Sequence, residues 1–341
     1  MSAAEQSQTT SRGMRAGALA VRVGAEFVGS FLICFGIYVI STIGSALYVT
    51  NLAYLAVGTG LLYAAATVVF GGVSGAQFNP AVTVASMLAS KTRVLDGVLY
   101  IVAQVLGALP AAALVCHLLP TSDSAPLSIW LTPAVNGFDG GSVSYSGLSQ
   151  VGLSSFGVTA AIAVEIVAGI VIVGAAMRTT GEHGESSAGH AVAMGLAYGV
   201  GAAVAYPVTG AALNPARATG IAVFAQNQGL SQEPLDQLWV FWVCPVLAAA
   251  LVALPMVIAQ MMASSAAAPK PVAAAADGAD ASVVSDGQCA AEGDEADEAT
   301  DADVPAATGN GADASDEHED AHVGDDQADA QRDPDEGVEA H

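Results

Sequence analysis

Two halves of the chain repeat one another, and each half carries an odd number of segments long enough to cross a bilayer. "SGAQFNPAVT" at Ser74–Thr83 matches "TGAALNPARA" at Thr209–Ala218, "AEFVGSF" at Ala25–Phe31 matches "VEIVAGI" at Val164–Ile170, and "VAQVLGA" at Val102–Ala108 matches "VCPVLAA" at Val243–Ala249. The spacing is kept as well: Glu26 precedes Asn79 by 53 residues and Glu165 precedes Asn214 by 49. Apolar stretches lie near Gly24–Ile43, Leu52–Gly72, Val94–Leu119, Phe156–Met177, His190–Val208 and Leu238–Met262. Each is close to the roughly 20 residues that a helix needs to span the hydrocarbon. With three spans per half, the second copy enters the membrane from the opposite side. Such inverted-topology repeats place transport sites near the midplane, between the halves.

Each half also puts Asn-Pro in the middle of an apolar run, at Asn79-Pro80 and Asn214-Pro215. Asn is a favoured helix N-cap and Pro a favoured first helical residue, because its missing N–H would be unpaired there anyway. Each pair therefore starts a helix, with "AVTVASMLAS" and "ARATGIAVFA" as the bodies. About ten residues rise roughly 15 Å, half the hydrocarbon thickness. The leading segments "FGGVSGAQF" and "AYPVTGAAL" are expected to be extended. Non-helical backbone at that depth is tolerated only when buried in protein or lining a water-filled cavity. Inverted symmetry then brings two half-helix N-termini together at the midplane, each with a partial positive charge and unpaired N–H groups.

Charge divides the chain into three parts. Of its 32 acidic residues, 22 follow Met262, against only Lys270 and Arg332, so segment 263–341 holds nearly all of the net charge of -23. Its Ala, Asp, Gly and Glu repeats lack aromatics and bury too little surface to offset chain entropy, which predicts a disordered, solvating and dispensable tail. Residues 1–18 form a short N-terminal segment and 19–262 a membrane domain, with repeats at about 19–119 and 156–262. The "ALA" at Ala18–Ala20 precedes the first apolar run, so cleavage there would remove no apolar core and an uncleaved span is expected. Arg12, Arg15, Arg22, Lys91, Arg93 and Arg178 all fall on one side, which by the positive-inside rule puts both termini in the cytoplasm. Arg217 alone breaks that pattern, and a charge at membrane depth should face a cavity. Cys34, Cys116, Cys244 and Cys289 have no motif spacing, so neither a disulfide framework nor a metal site is expected.

On these motifs, two Asn-Pro-Ala triplets at equivalent repeat positions, the sequence resembles the aquaporin or major intrinsic protein family over about Gly24–Met262. The resemblance implies an all-α membrane protein with six transmembrane helices and two re-entrant half-helices, here followed by the acidic tail. It implies a passive channel, not an enzyme, working in the cell membrane without a cofactor. The expected partners are water, small neutral solutes and the lipid bilayer, with a homotetrameric assembly and no nucleic acid. Asn79, Pro80 and Ala81 with Asn214, Pro215 and Ala216 form the pore motifs, and the two Asn side chains would donate N–H bonds to permeating molecules.

The family pattern places the outer filter at Thr59, Ala202, Ala211 and Arg217. Water-selective members usually have Phe and His at the first two positions and glycerol facilitators Trp and Gly, so Thr and Ala imply a wider constriction. Ala218, where facilitators typically have Asp, and Phe241-Trp242 follow the water-channel pattern. Glu26 and Glu165 are read as carboxylates that accept N–H bonds from the re-entrant loops. Gln77, where the family often has His, is read as a neutral wall residue, and His183 and His190 as solvated loop histidines. The functional reading is a passive water channel, open to small neutral solutes, that excludes protons and ions. The alternatives are a glycerol-, urea- or ammonia-permeable channel and, in another class, an ion-coupled secondary transporter.

Overall fold

The computed structural model describes residues 3–48 and 51–267, with side chains over 18–48 and 51–263. Helix α1 (Ala3–Val39) continues through a π-helical turn, Ile40–Gly44, and a last helical turn, Ser45–Tyr48. It is followed by α2 (Leu52–Ser74), the short α3 (Pro80–Leu88), α4 (Val94–Leu118), α5 (Val158–Thr179), α6 (His190–Thr209), the short α7 (Pro215–Ala225) and α8 (Pro234–Ala267). Six of these are long and apolar enough to cross a membrane. Five of them agree within five residues with the apolar stretches, whereas the first span, Ala18–Tyr48, begins six residues before Gly24 and ends five after Ile43. Helix α8 runs five residues further than the sequence suggested, over residues 263–267, where Ala residues, the best helix formers, outnumber Ser. The remainder of the acidic segment lies outside the described residues.

The repeat is visible in the packing. Helix α1 lies along α4, α5 along α8, and α2 crosses α6. The short helices are exchanged: α3, from the first half, packs on α8, and α7, from the second, packs on α4. Neither half is complete without the other.

The spans are apolar outside and small or polar inside. Leu61, Val68, Val192 and Leu196 are each more than three-fifths exposed on the outer surface, whereas Thr59, Thr67, Gln104 and Thr209 are buried. Lipid supplies no hydrophobic drive between helices, so close approach depends on small residues. A Cβ on Gly60 would lie 2.4 Å from the Gly195 carbonyl oxygen, and one on Gly107 would lie 2.3 Å from that of Phe27. Both obstacles are backbone, which cannot yield as a side-chain tip does. Gly60→Val is therefore expected to push α2 off α6 and cost about 1–3 kcal/mol, the range for overpacking. Thermal unfolding in detergent reads this as a lowered Tm, and an unchanged Tm would contradict the close crossing.

Candidate functional site

Both re-entrant segments adopt one backbone pattern. Gly75, Ala76 and Phe78 have φ of 88°, 53° and 49°, and Gly210, Ala211 and Leu213 have 73°, 52° and 55°. Positive φ is uncommon for residues with a Cβ and costs on the order of 1 kcal/mol each, so the surroundings must enforce it. A buried carboxylate does so in each half. Glu26 accepts from Ser74 Oγ (2.6 Å), Gln77 N (3.0 Å), Phe78 N (2.7 Å) and Gln104 Nε2 (2.8 Å). Glu165 accepts from Thr209 Oγ1 (2.6 Å), Ala212 N (3.0 Å) and Leu213 N (2.9 Å). The fourth bond has no counterpart because Pro245 occupies the repeat position of Gln104.

The half-helices begin as their sequences dictate. Asn79 Oδ1 accepts from Ala81 N at 2.9 Å, and Asn214 Oδ1 from Ala216 N at 2.9 Å and Arg217 N at 3.4 Å, with Pro80 and Pro215 in the first helical turn. The two ends lock across the repeat: Asn79 Nδ2 donates to the Leu213 carbonyl (2.9 Å) and Asn214 Nδ2 to the Phe78 carbonyl (2.7 Å). Each amide has one hydrogen left, and here the structure departs from the sequence expectation. Asn79 Nδ2 donates to the Tyr198 hydroxyl (2.7 Å) and Asn214 Nδ2 to the Tyr63 hydroxyl (2.9 Å). A phenol oxygen takes the donor that a permeating molecule was expected to use.

Arg217 is 2% exposed. Its Nη1 donates to Asn136 Oδ1 (2.6 Å), the Gly210 carbonyl (3.1 Å) and the Ala211 carbonyl (3.0 Å), and its Nη2 to the Ala134 carbonyl (3.2 Å). All four acceptors are neutral, so they orient the guanidinium without cancelling its charge. Nε has no hydrogen-bond partner among the described residues. Thr59, Ala211 and Arg217 share the wall of one cavity of about 10 Å³ with Ile37, Leu55, Tyr63 and Leu213. That is room for about one water. Ala202 is fully buried in α6 and is not among the residues lining this cavity. The wider constriction expected from Thr59 and Ala202 is not found, because Ile37, Leu55 and Tyr63 also crowd the space.

Asn136 was not legible from the sequence, since it lies in the connection between α4 and α5, which has no periodic pattern. Its Nδ2 donates to the Thr209 (3.1 Å) and Gly210 (2.9 Å) carbonyls while its Oδ1 holds Arg217, so the loop braces both. On the opposite face, the connection between α5 and α6 sits against the first re-entrant segment. Ser186 Oγ donates to the Gly75 carbonyl (3.1 Å), and Lys91 Nζ donates to the Thr180 carbonyl (2.5 Å). Gln77 turns its amide to Thr92 Oγ1 (2.7 Å), tying the segment to the turn after α3. His190 is buried, with Nδ1 2.7 Å from Thr179 Oγ1, because it opens α6 beneath that connection and is not part of the solvated loop. Within that loop, Glu185 is held below its usual pKa by its own N–H and that of His183.

The sequence matches the model of one protein family, "Major intrinsic protein", over residues 15–255. It is 30% identical over 233 residues to Aquaporin Z of Brucella melitensis biotype 1, covering 67% of this chain and 93% of that one. Aquaporin Z of Rhodopseudomonas palustris is 33% identical, covering 67% and 88%. Glycerol uptake facilitator protein-like 6 of Lactiplantibacillus plantarum is 32% identical, covering 67% and 93%. Six spans, two half-helices meeting through Asn79 and Asn214, and a family match over most of the membrane domain converge, and the chain belongs to the major intrinsic protein family of membrane channels.

Proposed function

We propose that the protein conducts water passively and excludes protons and other ions. The observation that carries this is the cavity of about 10 Å³ whose wall includes a guanidinium held only by neutral oxygens. A lone water fits it, and a positive charge beside the path whose hydrogen-bond partners are all neutral repels cations. In this reading Thr59, Ala202, Ala211 and Arg217 form the outer filter, the triplets Asn79-Pro80-Ala81 and Asn214-Pro215-Ala216 form the midplane station, and Glu26 and Glu165 support the re-entrant loops. Homotetrameric assembly in the cell membrane, both termini in the cytoplasm and a solvating tail over 263–341 belong to the same proposal. The similarity to proteins named Aquaporin Z supports it.

A second reading, a channel for glycerol, urea or ammonia, is favoured by the similarity to a protein named as a glycerol uptake facilitator. Proteoliposomes separate the two. After a sucrose shock the vesicles are expected to shrink faster than empty ones, and after a glycerol shock to re-swell no faster than empty ones. Protein-dependent re-swelling would favour the solute channel.

A further inference from the structure

The two tyrosines that take the asparagine amides also face one another. Tyr63 on α2 and Tyr198 on α6 stack with ring centroids 3.2 Å apart and planes within 3°, and both are fully or almost fully buried. Ring carbons make optimal contact at roughly 3.5–4.0 Å, so no atom fits between them. Their placement follows the repeat, since Tyr63 precedes Asn79 by 16 residues and Tyr198 precedes Asn214 by 16, and Tyr63 comes four residues after Thr59 and Tyr198 four before Ala202. Residues four apart share a helix face, so both rings point the same way as the filter positions, one turn deeper. Tyr63 also lines the cavity that Arg217 walls, which places the pair directly beneath it. The close crossing of α2 and α6 at Gly60 and Gly195 brings the two rings together.

We propose that Tyr63 and Tyr198 are the specificity-determining residues of this channel: they set its narrowest point at the level of Asn79 and Asn214, and a molecule passes only as the rings part. The inference rests on the channel reading above and deepens it. Small residues at Thr59 and Ala202 are then compensated one turn further in. To pass, a molecule must also replace the two Asn–Tyr hydrogen bonds, which it can do only by offering an oxygen or nitrogen acceptor to each carboxamide. The pair thus selects small, neutral, hydrogen-bonding molecules, and its stacked area excludes a carbon skeleton of glycerol size.

The test is stopped-flow light scattering of proteoliposomes holding equal amounts of wild type, the double variant Tyr63→Val/Tyr198→Val, and the single variants Tyr63→Phe and Tyr198→Phe. The double variant is expected to raise water permeability at least about tenfold, the equivalent of about 1.4 kcal/mol, and to admit glycerol. Each Phe variant keeps its ring and frees one Asn amide, so water permeability rises by less and glycerol stays out. Equal water rates and equal glycerol exclusion in wild type and double variant, all above empty vesicles, would reduce the tyrosines to packing residues and overturn the proposal. Rates at the empty-vesicle level in every protein would bring down the channel reading and this assignment together, a distinct result. If the double variant does not insert, the Phe variants decide: faster water flux supports the pair, and unchanged flux overturns it.

Discussion

Glu26→Ala is expected to yield a protein that no longer holds its first re-entrant segment and carries no water flux. The substitution strands four buried donors at once: Ser74 Oγ, Gln77 N, Phe78 N and Gln104 Nε2. Each buried donor left unpaired costs about 1–3 kcal/mol, so even with partial relaxation the loss is on the order of 4 kcal/mol. The left-handed Ala76 and Phe78 lose the bonds that offset their strain as well. Glu165→Ala strands two backbone donors, Ala212 N and Leu213 N, while Thr209 Oγ1 keeps the Ala205 carbonyl (3.1 Å) as an acceptor, so it is expected to be less severe. Gln at either position keeps one acceptor oxygen and should fall between. Thermal unfolding in detergent ranks the series as Glu26→Ala, Glu165→Ala, the Gln variants, then wild type. Wild-type Tm and wild-type water flux in Glu26→Ala would contradict the supporting role.

Arg217→Ala is expected to raise proton leakage relative to water flux by at least about tenfold. A unit charge acting on another at about 4 Å is worth about 4 kcal/mol at an effective dielectric of 20, so tenfold is a conservative share of what its removal releases. Arg217→Lys keeps the charge but cannot reproduce the planar fork that reaches Asn136, Ala134, Gly210 and Ala211 together, so proton exclusion should survive while the connection between α4 and α5 loosens. A pH-sensitive dye inside proteoliposomes reads the leak. Proton and water permeabilities both unchanged in Arg217→Ala would remove Arg217 from the filter.

What could be read from the sequence depended on whether a residue's role is local. The six spans follow from runs of apolar residues, and the half-helices from Asn-Pro, a capping signal that acts within one turn. Glu26 and Glu165 stand out in the sequence because a carboxylate inside a span is costly and because they occupy equivalent repeat positions. Tyr63 and Tyr198 do not stand out, since an aromatic on an apolar helix face normally reads as packing. Only the crossing of α2 and α6 reveals that they meet, although their four-residue offset from Thr59 and Ala202 was available as a signal. Asn136 sits in a loop with no periodicity, and its bond to Arg217 spans 81 residues of chain. The left-handed Ala76, Phe78, Ala211 and Leu213 were equally hidden, because only glycine advertises positive φ in a sequence.

The most direct measurement of passive water conduction is the initial rate of vesicle shrinkage against a series of sucrose gradients, with a pH-sensitive dye enclosed. A rate above that of empty vesicles, linear in the osmotic gradient and with no change of internal pH, is the expected result. A rate that saturates, or that appears only when a proton or sodium gradient is imposed, would contradict it.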